Sequence, residues 1–230
     1  MIPQNILRAA AERKLDAIGI TDHNTAENVA AVREAAKATG IKVIGGMEVT
    51  SAEEVHLLAL FDGAEELAGF QRLVYASLHG TNDPEAFGYQ WVVDADGGVV
   101  DVNPRLLIGS TTLSVHEVVD AVHGFGGVAI AAHVDRQSFS VISQLGFIPE
   151  DLDLDGVELS PFAGQNGFGA DELAAVSAGG REFATVTFSD AHYLGDVGRT
   201  PTELRVVDAS VAELRLALRG EAGRAVLGGA

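Results

Sequence analysis

Short, almost wholly apolar runs recur along this chain, each followed by a segment whose apolar residues repeat at helical spacing. Ala17 to Ile20, Lys42 to Gly46, His56 to Phe61, Gly127 to Ala132, Gly156 to Leu159, Phe183 to Phe188 and Thr202 to Val207 read as strands. Between them the spacing predicts helices over Ile6 to Leu15, Ala26 to Thr39, Glu65 to Leu78, Leu113 to His123, Phe139 to Leu145, Asp171 to Ala178 and Val211 to Leu218. Strands without a polar face need cover on both sides, so the alternation predicts an α/β fold with helices over a largely parallel sheet. Thr25 or Asn24 is the expected cap of the second helix, and Gly40 its end. Residues 89–102, turning at Asp96-Gly97-Gly98, read as a hairpin inserted outside this rhythm, whereas the Gly- and Ala-rich tail Gly220 to Ala230 is expected to fray. No repeat or linker divides the 230 residues, which fit one domain, 1–230.

Composition excludes several chemistries. With no cysteine there is no disulfide, thiolate zinc site, iron–sulfur cluster or cysteine nucleophile. Lys plus Arg number 15 against 33 Asp plus Glu, and 15 − 33 = −18 argues against a nonspecific grip on nucleic-acid backbones. A single nucleic-acid end entering a metal-lined cleft remains compatible with that charge. No apolar segment reaches the roughly 18 residues of a membrane span, and Met1-Ile2-Pro3-Gln4-Asn5 lacks signal-peptide order, so a cytoplasmic protein is expected.

Chemistry gathers where the apolar runs stop. The first strand runs into Asp22-His23, the second into Met47-Glu48, the Gly127 to Ala132 run into His133, and the Phe183 to Phe188 run into Ser189-Asp190-Ala191-His192. Parallel strands would deliver these ends to one face, where α/β active sites lie. Asp190 and His192 are two apart, so an extended backbone would point both to one side. Imidazoles and carboxylates without thiolates suit zinc, manganese or iron, and such ions lower the pKa of water and clamp phosphoryl groups. Arg136 shares the loop after His133 and fits either a substrate phosphate or an ion pair with a nearby acid. His79, His116 and His123 read as loop or helix-surface residues. Gly45-Gly46 is no dinucleotide fingerprint, Gly164 to Gly169 reads as a turn without the P-loop lysine, and no Gly-x-Ser-x-Gly elbow occurs. Metal-activated water is therefore the preferred nucleophile.

The segments Gly19-Ile20-Thr21-Asp22-His23-Asn24, Gly46-Met47-Glu48-Val49, Glu54-Val55-His56-Leu57, Ala131 to Arg136 and Phe188 to His192 occur in an order that resembles the polymerase and histidinol phosphatase (PHP) family of metal-dependent phosphoesterases. The resemblance spans about Pro3 to Val207 and implies a distorted seven-stranded β/α barrel with a cleft for up to three metal ions. It implies that Glu48 bridges two ions, that His56 and His133 complete one site, that Asp190 is a ligand of the first site, and that His23 and His192 are the second-site pair. Family members begin with a strand carrying His-x-His, whereas no histidine precedes His23 here. The expectation is thus a barrel incomplete at its N-terminus, with fewer ions than the full set. A partner copy could cover its open edge. The implied activity is hydrolysis of a small phosphorylated metabolite, a nucleotide or an oligonucleotide end, with a degenerate metal- or phosphate-binding module, a dimeric one included, as the alternative.

Overall fold

In the computed structural model, which describes residues 1–165 and 167–229, the chain opens with helix α1 (Pro3–Glu12), strand β1 (Ala17–Ile20), helix α2 (Val29–Ala36) and strand β2 (Lys42–Thr50). Strand β3 (His56–Phe61), helix α3 (Ala64–Ser77), the single turn α4 (Pro84–Phe87) and a hairpin of β4 (Trp91–Val93) and β5 (Val99–Val102) follow. Next come α5 (Val115–Gly124), β6 (Val128–Ala131), α6 (Val141–Leu145), β7 (Gly156–Leu159), α7 (Ala170–Val176) and β8 (Thr185–Thr187). The last elements are β9 (Thr202–Arg205), α8 (Val211–Arg219) and β10 (Ala225–Gly229). Asn166, in the turn expected between Gly164 and Gly169, lies outside the described residues.

Six strands form one sheet in the order β1-β2-β3-β6-β7-β8, curled into a half-open barrel, as expected of an incomplete distorted one. The sheet is less parallel than its apolar runs imply. β3 runs antiparallel to both β2 and β6, while β1–β2, β6–β7 and β7–β8 are parallel. Only residues 51–55 separate β2 from β3, too short a connection for a parallel crossover. In consequence the first residue of β3, His56, reaches the rim where β2 and β6 end.

β3 is buried along its whole length, and its alternation shows why it carries no polar face. Leu57, Ala59 and Phe61 join one core with Met47, Val49, Phe70 and Val74, whereas Leu58 and Leu60 join a second with Val128, Ile130 and the α8 residues Val211, Leu214 and Leu218. By the same parity Glu48, paired with Leu58, shares the face that carries α8. Helix α8 is seated there by its buried side chains, each contributing about 1.5–3 kcal/mol, and by Asp62, whose carboxylate accepts from the free Val211 and Ala212 amides at 2.7 and 3.2 Å.

Two local expectations fail for tertiary reasons. The second helix starts at Val29 rather than Ala26, because the Ala26 amide donates to Gln71 Oε1 (2.7 Å) and the hydroxyls of Thr25 and Tyr75 share a hydrogen bond of 2.6 Å. These bonds bind the segment to α3 instead of letting it coil. The tail is ordered into β10, which pairs antiparallel with β9. A left-handed Gly220 turns the chain after α8, and Arg224 then clamps Glu213 at 2.8 and 2.9 Å.

At the opposite end of the strands from Glu48, the buried Asp155 carboxylate accepts from the Ala129 amide (2.9 Å) and meets His123 Nε2 (2.8 Å), with Arg215 and Arg219 at 3.7 and 3.6 Å. The bond to Asp155 raises the His123 pKa above its ordinary 6.5, outweighing the opposing effect of burial. Because the folded value is the higher one, this contact stabilises fully below about pH 6.5 and is lost as pH rises through the folded value. Urea denaturation should therefore show stability declining above about pH 6.5, by about 1 kcal/mol or less for this partly exposed ring. His123→Gln should flatten that slope.

Candidate metal centre

The pairing of β2 with β3 continues to Thr50 opposite His56, so Glu48 lies inside a strand rather than beyond its end. Its side chain is nearly buried, the residue being 6% exposed. Three imidazoles surround the carboxylate. His56 Nδ1 lies 2.9 Å and His133 Nε2 3.2 Å from Oε1, and His23 Nδ1 lies 3.5 Å from Oε2. The rings of His23 and His56 are 5.3 Å apart between centroids, those of His56 and His133 5.4 Å.

Burial works against the Glu48 charge, but the bonds from His133 and His56 prevail and hold the carboxyl well below the usual range. Burial also pushes the His23 imidazole down, leaving its lone pair free of a proton at neutral pH. His23 Nδ1 faces this carboxylate at 3.5 Å, buried and without a hydrogen-bond partner, and His133 Nδ1 is likewise buried and unpartnered. An ionised carboxylate among imidazole nitrogens that lack protein partners is the donor set of a divalent cation. His23, Glu48 and His56 each place a ligand atom within 4.8 Å of the others. The residues present therefore fit a metal ion.

Each imidazole is held by its own loop. The His56 amide donates to Phe139 O (2.8 Å), and its ring stacks on Phe139 at 4.7 Å and 17°. His133 follows β6 at φ +32°, its amide donating to Glu158 Oε2 (3.0 Å). The next residues are fastened through Asp135, which accepts from the amide and the hydroxyl of Ser160, both at 2.6 Å. Asn24, fully buried at φ +49°, does not cap a helix; its Nδ2 donates to Leu107 O and Gly109 O, both at 2.8 Å. Its Oδ1 accepts from the Thr50 amide (3.1 Å) and its own amide donates to Glu48 O (2.9 Å), so the His23 loop is locked against β2.

Glu158 is a component that strand-end reasoning missed. Burial, with Glu48 and Asp190 nearby, pushes its carboxyl up to about 8, against the lowering effect of the His133 amide. The available signal was the one that marked Glu48, a carboxylate within an apolar strand run, here Gly156-Val157-Glu158-Leu159.

Asp190 and His192 reach the same rim by a different route from the one expected. β8 stops at Thr187, and Asp190 takes a left-handed φ of +43° instead of an extended one. His192 is thereby turned back, its Nδ1 3.1 Å from Asp190 O and its ring 6.1 Å from that of His23. Asp190 Oδ2 pairs with Arg136 Nη2 at 2.7 Å, so Arg136 is engaged with an acid. All six candidate ligands thus gather at one rim. His79 is exposed elsewhere, His116 faces Asp151 at 3.2 Å, and His123 belongs to the Asp155 cluster.

Residues 2–136, more than half of the chain and including His23, Glu48, His56, His133 and Arg136, match the model of the PHP domain. The chain belongs to the PHP domain family. This PHP domain is 28% identical over 120 residues to phosphoribosyl 1,2-cyclic phosphate 1,2-diphosphodiesterase of Eggerthella lenta, covering 50% of the chain and 45% of that protein. Its fold is similar to that of a lesion-specific endonuclease from Pyrococcus furiosus, with a TM-score of 0.65 and 18% identity over 100% of this chain and 54% of the other. A complex of endonuclease Q with a 27-mer duplex bearing an abasic lesion at its active site gives a TM-score of 0.64 and 18% identity, over 97% and 53%. The PHP domain spans about half the length of each of these proteins, and the structural likeness is one of fold. Among the described residues no helix is long and apolar enough to cross a membrane.

Proposed function

We propose that this PHP domain, one unit over residues 1–230 with residues 89–102 as an inserted hairpin, hydrolyses phosphate esters on a small phosphorylated compound, a nucleotide or a nucleic-acid end. The observation that carries the reading is the gathering of His23, His56 and His133 around the buried, ionised Glu48. Glu48, His56 and His133 would hold one divalent ion, Asp190 would be a ligand of the first site that Glu48 bridges to, and His23 with His192 would contribute to the second, with manganese, zinc and iron all suited to these donors. Such ions, when bound, acidify water and screen charge on a phosphoryl group. Glu48 then serves as a fixed anion between imidazoles, and burial keeps His23 neutral as a donor. Arg136, freed when Asp190 takes up a cation, would turn its guanidinium to a phosphoryl oxygen. The relatives support a phosphoester substrate over an amide or a glycoside.

A second reading, a noncatalytic metal- or phosphate-binding module that pairs with another copy along its open edge, is favoured by one contact. Arg136 is paired with Asp190, and among the described residues the group whose ligand atoms lie within 4.8 Å of one another is His23, Glu48 and His56. Elemental mass spectrometry on protein purified without chelator or metal-binding tag, run beside a phosphate-release assay, tests both readings. Hydrolysis requires about one to two metal equivalents per chain and turnover that Glu48→Ala removes. Metal or phosphate binding without turnover on any ester selects the module, and no metal uptake from manganese, iron or zinc sinks the hydrolase reading.

A further inference from the structure

Asp190 and His192 also line a cleft of about 310 Å3, together with Arg136, Phe162, Tyr193 and Arg199. Its volume is at the lower end of the range for small-molecule sites, about 300–1,000 Å3. Two aromatic rings stand open to solvent here, Phe162 at 43% and Tyr193 at 75% exposure. Among the described residues neither stacks on another aromatic ring, although the Arg199 guanidinium lies 5.8 Å from the Phe162 centroid. Both guanidinium groups of the cleft are already paired, Arg136 with Asp190 at 2.7 Å and Arg199 with Asp196 at 2.6 Å. The cleft thus offers aromatic faces and a planar cation but no unpaired charge for a second phosphate.

We infer that this cleft seats the planar base of a nucleotide whose phosphate ester lies at the Glu48 centre. The inference rests on the phosphoesterase reading and narrows it. The substrate class is a nucleoside phosphate or oligonucleotide terminus, rather than a sugar or aliphatic phosphate. Stacking suits the task because every base presents a π face, so such a cleft selects bases over aliphatic groups while tolerating base identity.

The test compares two esters that differ only in the base, adenosine 5′-monophosphate and ribose 5-phosphate. The expected kcat/KM ratio favours the base by about tenfold or more. Phe162→Ala and Tyr193→Ala, both at exposed positions, should narrow that ratio, and together collapse it. Tyr89→Ala, at an exposed ring outside the cleft, should leave it unchanged. A ratio near one in the unaltered protein, or one that survives the double substitution, overturns the subsite while leaving phosphoester hydrolysis intact. Should neither ester be cleaved, binding replaces turnover as the readout. Ligand-observed NMR on the whole chain with chelator present then decides the subsite. Tighter binding of adenosine 5′-monophosphate than of ribose 5-phosphate, weakened by the double substitution, upholds it, and equal binding of the two overturns it.

Discussion

Glu48→Ala is expected to abolish the rise in melting temperature that manganese or zinc produces in the unaltered chain. An ion at about 100 times its Kd stabilises the folded state by about 2.7 kcal/mol, which in a chain of this size corresponds to about 5–10 °C. Glu48 is central to that response because, among the described residues, it is the carboxylate that His23, His56 and His133 all face. The same substitution should lower the metal-free melting temperature, since His133 Nε2 loses a buried partner, at a cost of about 1–3 kcal/mol. Glu48→Gln separates the two effects. An amide oxygen still accepts from His133 and should recover most of the metal-free stability, but it carries no charge and should not restore the metal response. Scanning fluorimetry with and without metal reads both. A full metal response in Glu48→Ala would remove Glu48 from the ligand set.

Gly46→Val is expected to prevent folding, and Gly46→Ala to destabilise by about 1–3 kcal/mol. A Cβ at this position would lie 2.4 Å from the Ala59 carbonyl oxygen and 2.9 Å from Leu60 Cδ2. Gly46 pairs with Leu60 in the β2–β3 ladder, so the oxygen cannot withdraw without breaking the pairing that also aligns Glu48 with Leu58. The metal response should therefore weaken together with stability. Gly19→Ala is the matched control. A Cβ there meets nothing within 4 Å, and the change should stay within about 0.5 kcal/mol. Urea midpoints followed by circular dichroism distinguish the three proteins, and a Gly46→Val chain as stable as the parent would show that the β2–β3 contact can relax.

Much of this molecule is legible in one dimension. The runs Ala17–Ile20, His56–Phe61 and Gly156–Leu159 are strands at the boundaries their composition indicates, because a short, mainly apolar run bounded by polar residues suits a strand packed in a sheet. His23, Glu48, His56, His133, Asp190 and His192 stood out because an ionisable group beside such a run needs water, a partner or a metal. Direction and partnership were a different matter. That β3 runs against β2, and so brings His56 to the rim at its first residue, depends on which strands pair. The amide of Asn24 closes contacts with residues 83 and 85 positions away, although the same residue type caps helices elsewhere. Asp190 turns left-handed and meets Arg136, and Glu158 reaches the His133 amide, only once β6, β7 and β8 are side by side. The sequence by itself determined the period of each element and the chemical character of its end, since both are local properties of the chain. The tertiary structure alone decided strand direction, loop anchoring and which carboxylate faces which cation, because those depend on register between segments far apart in sequence.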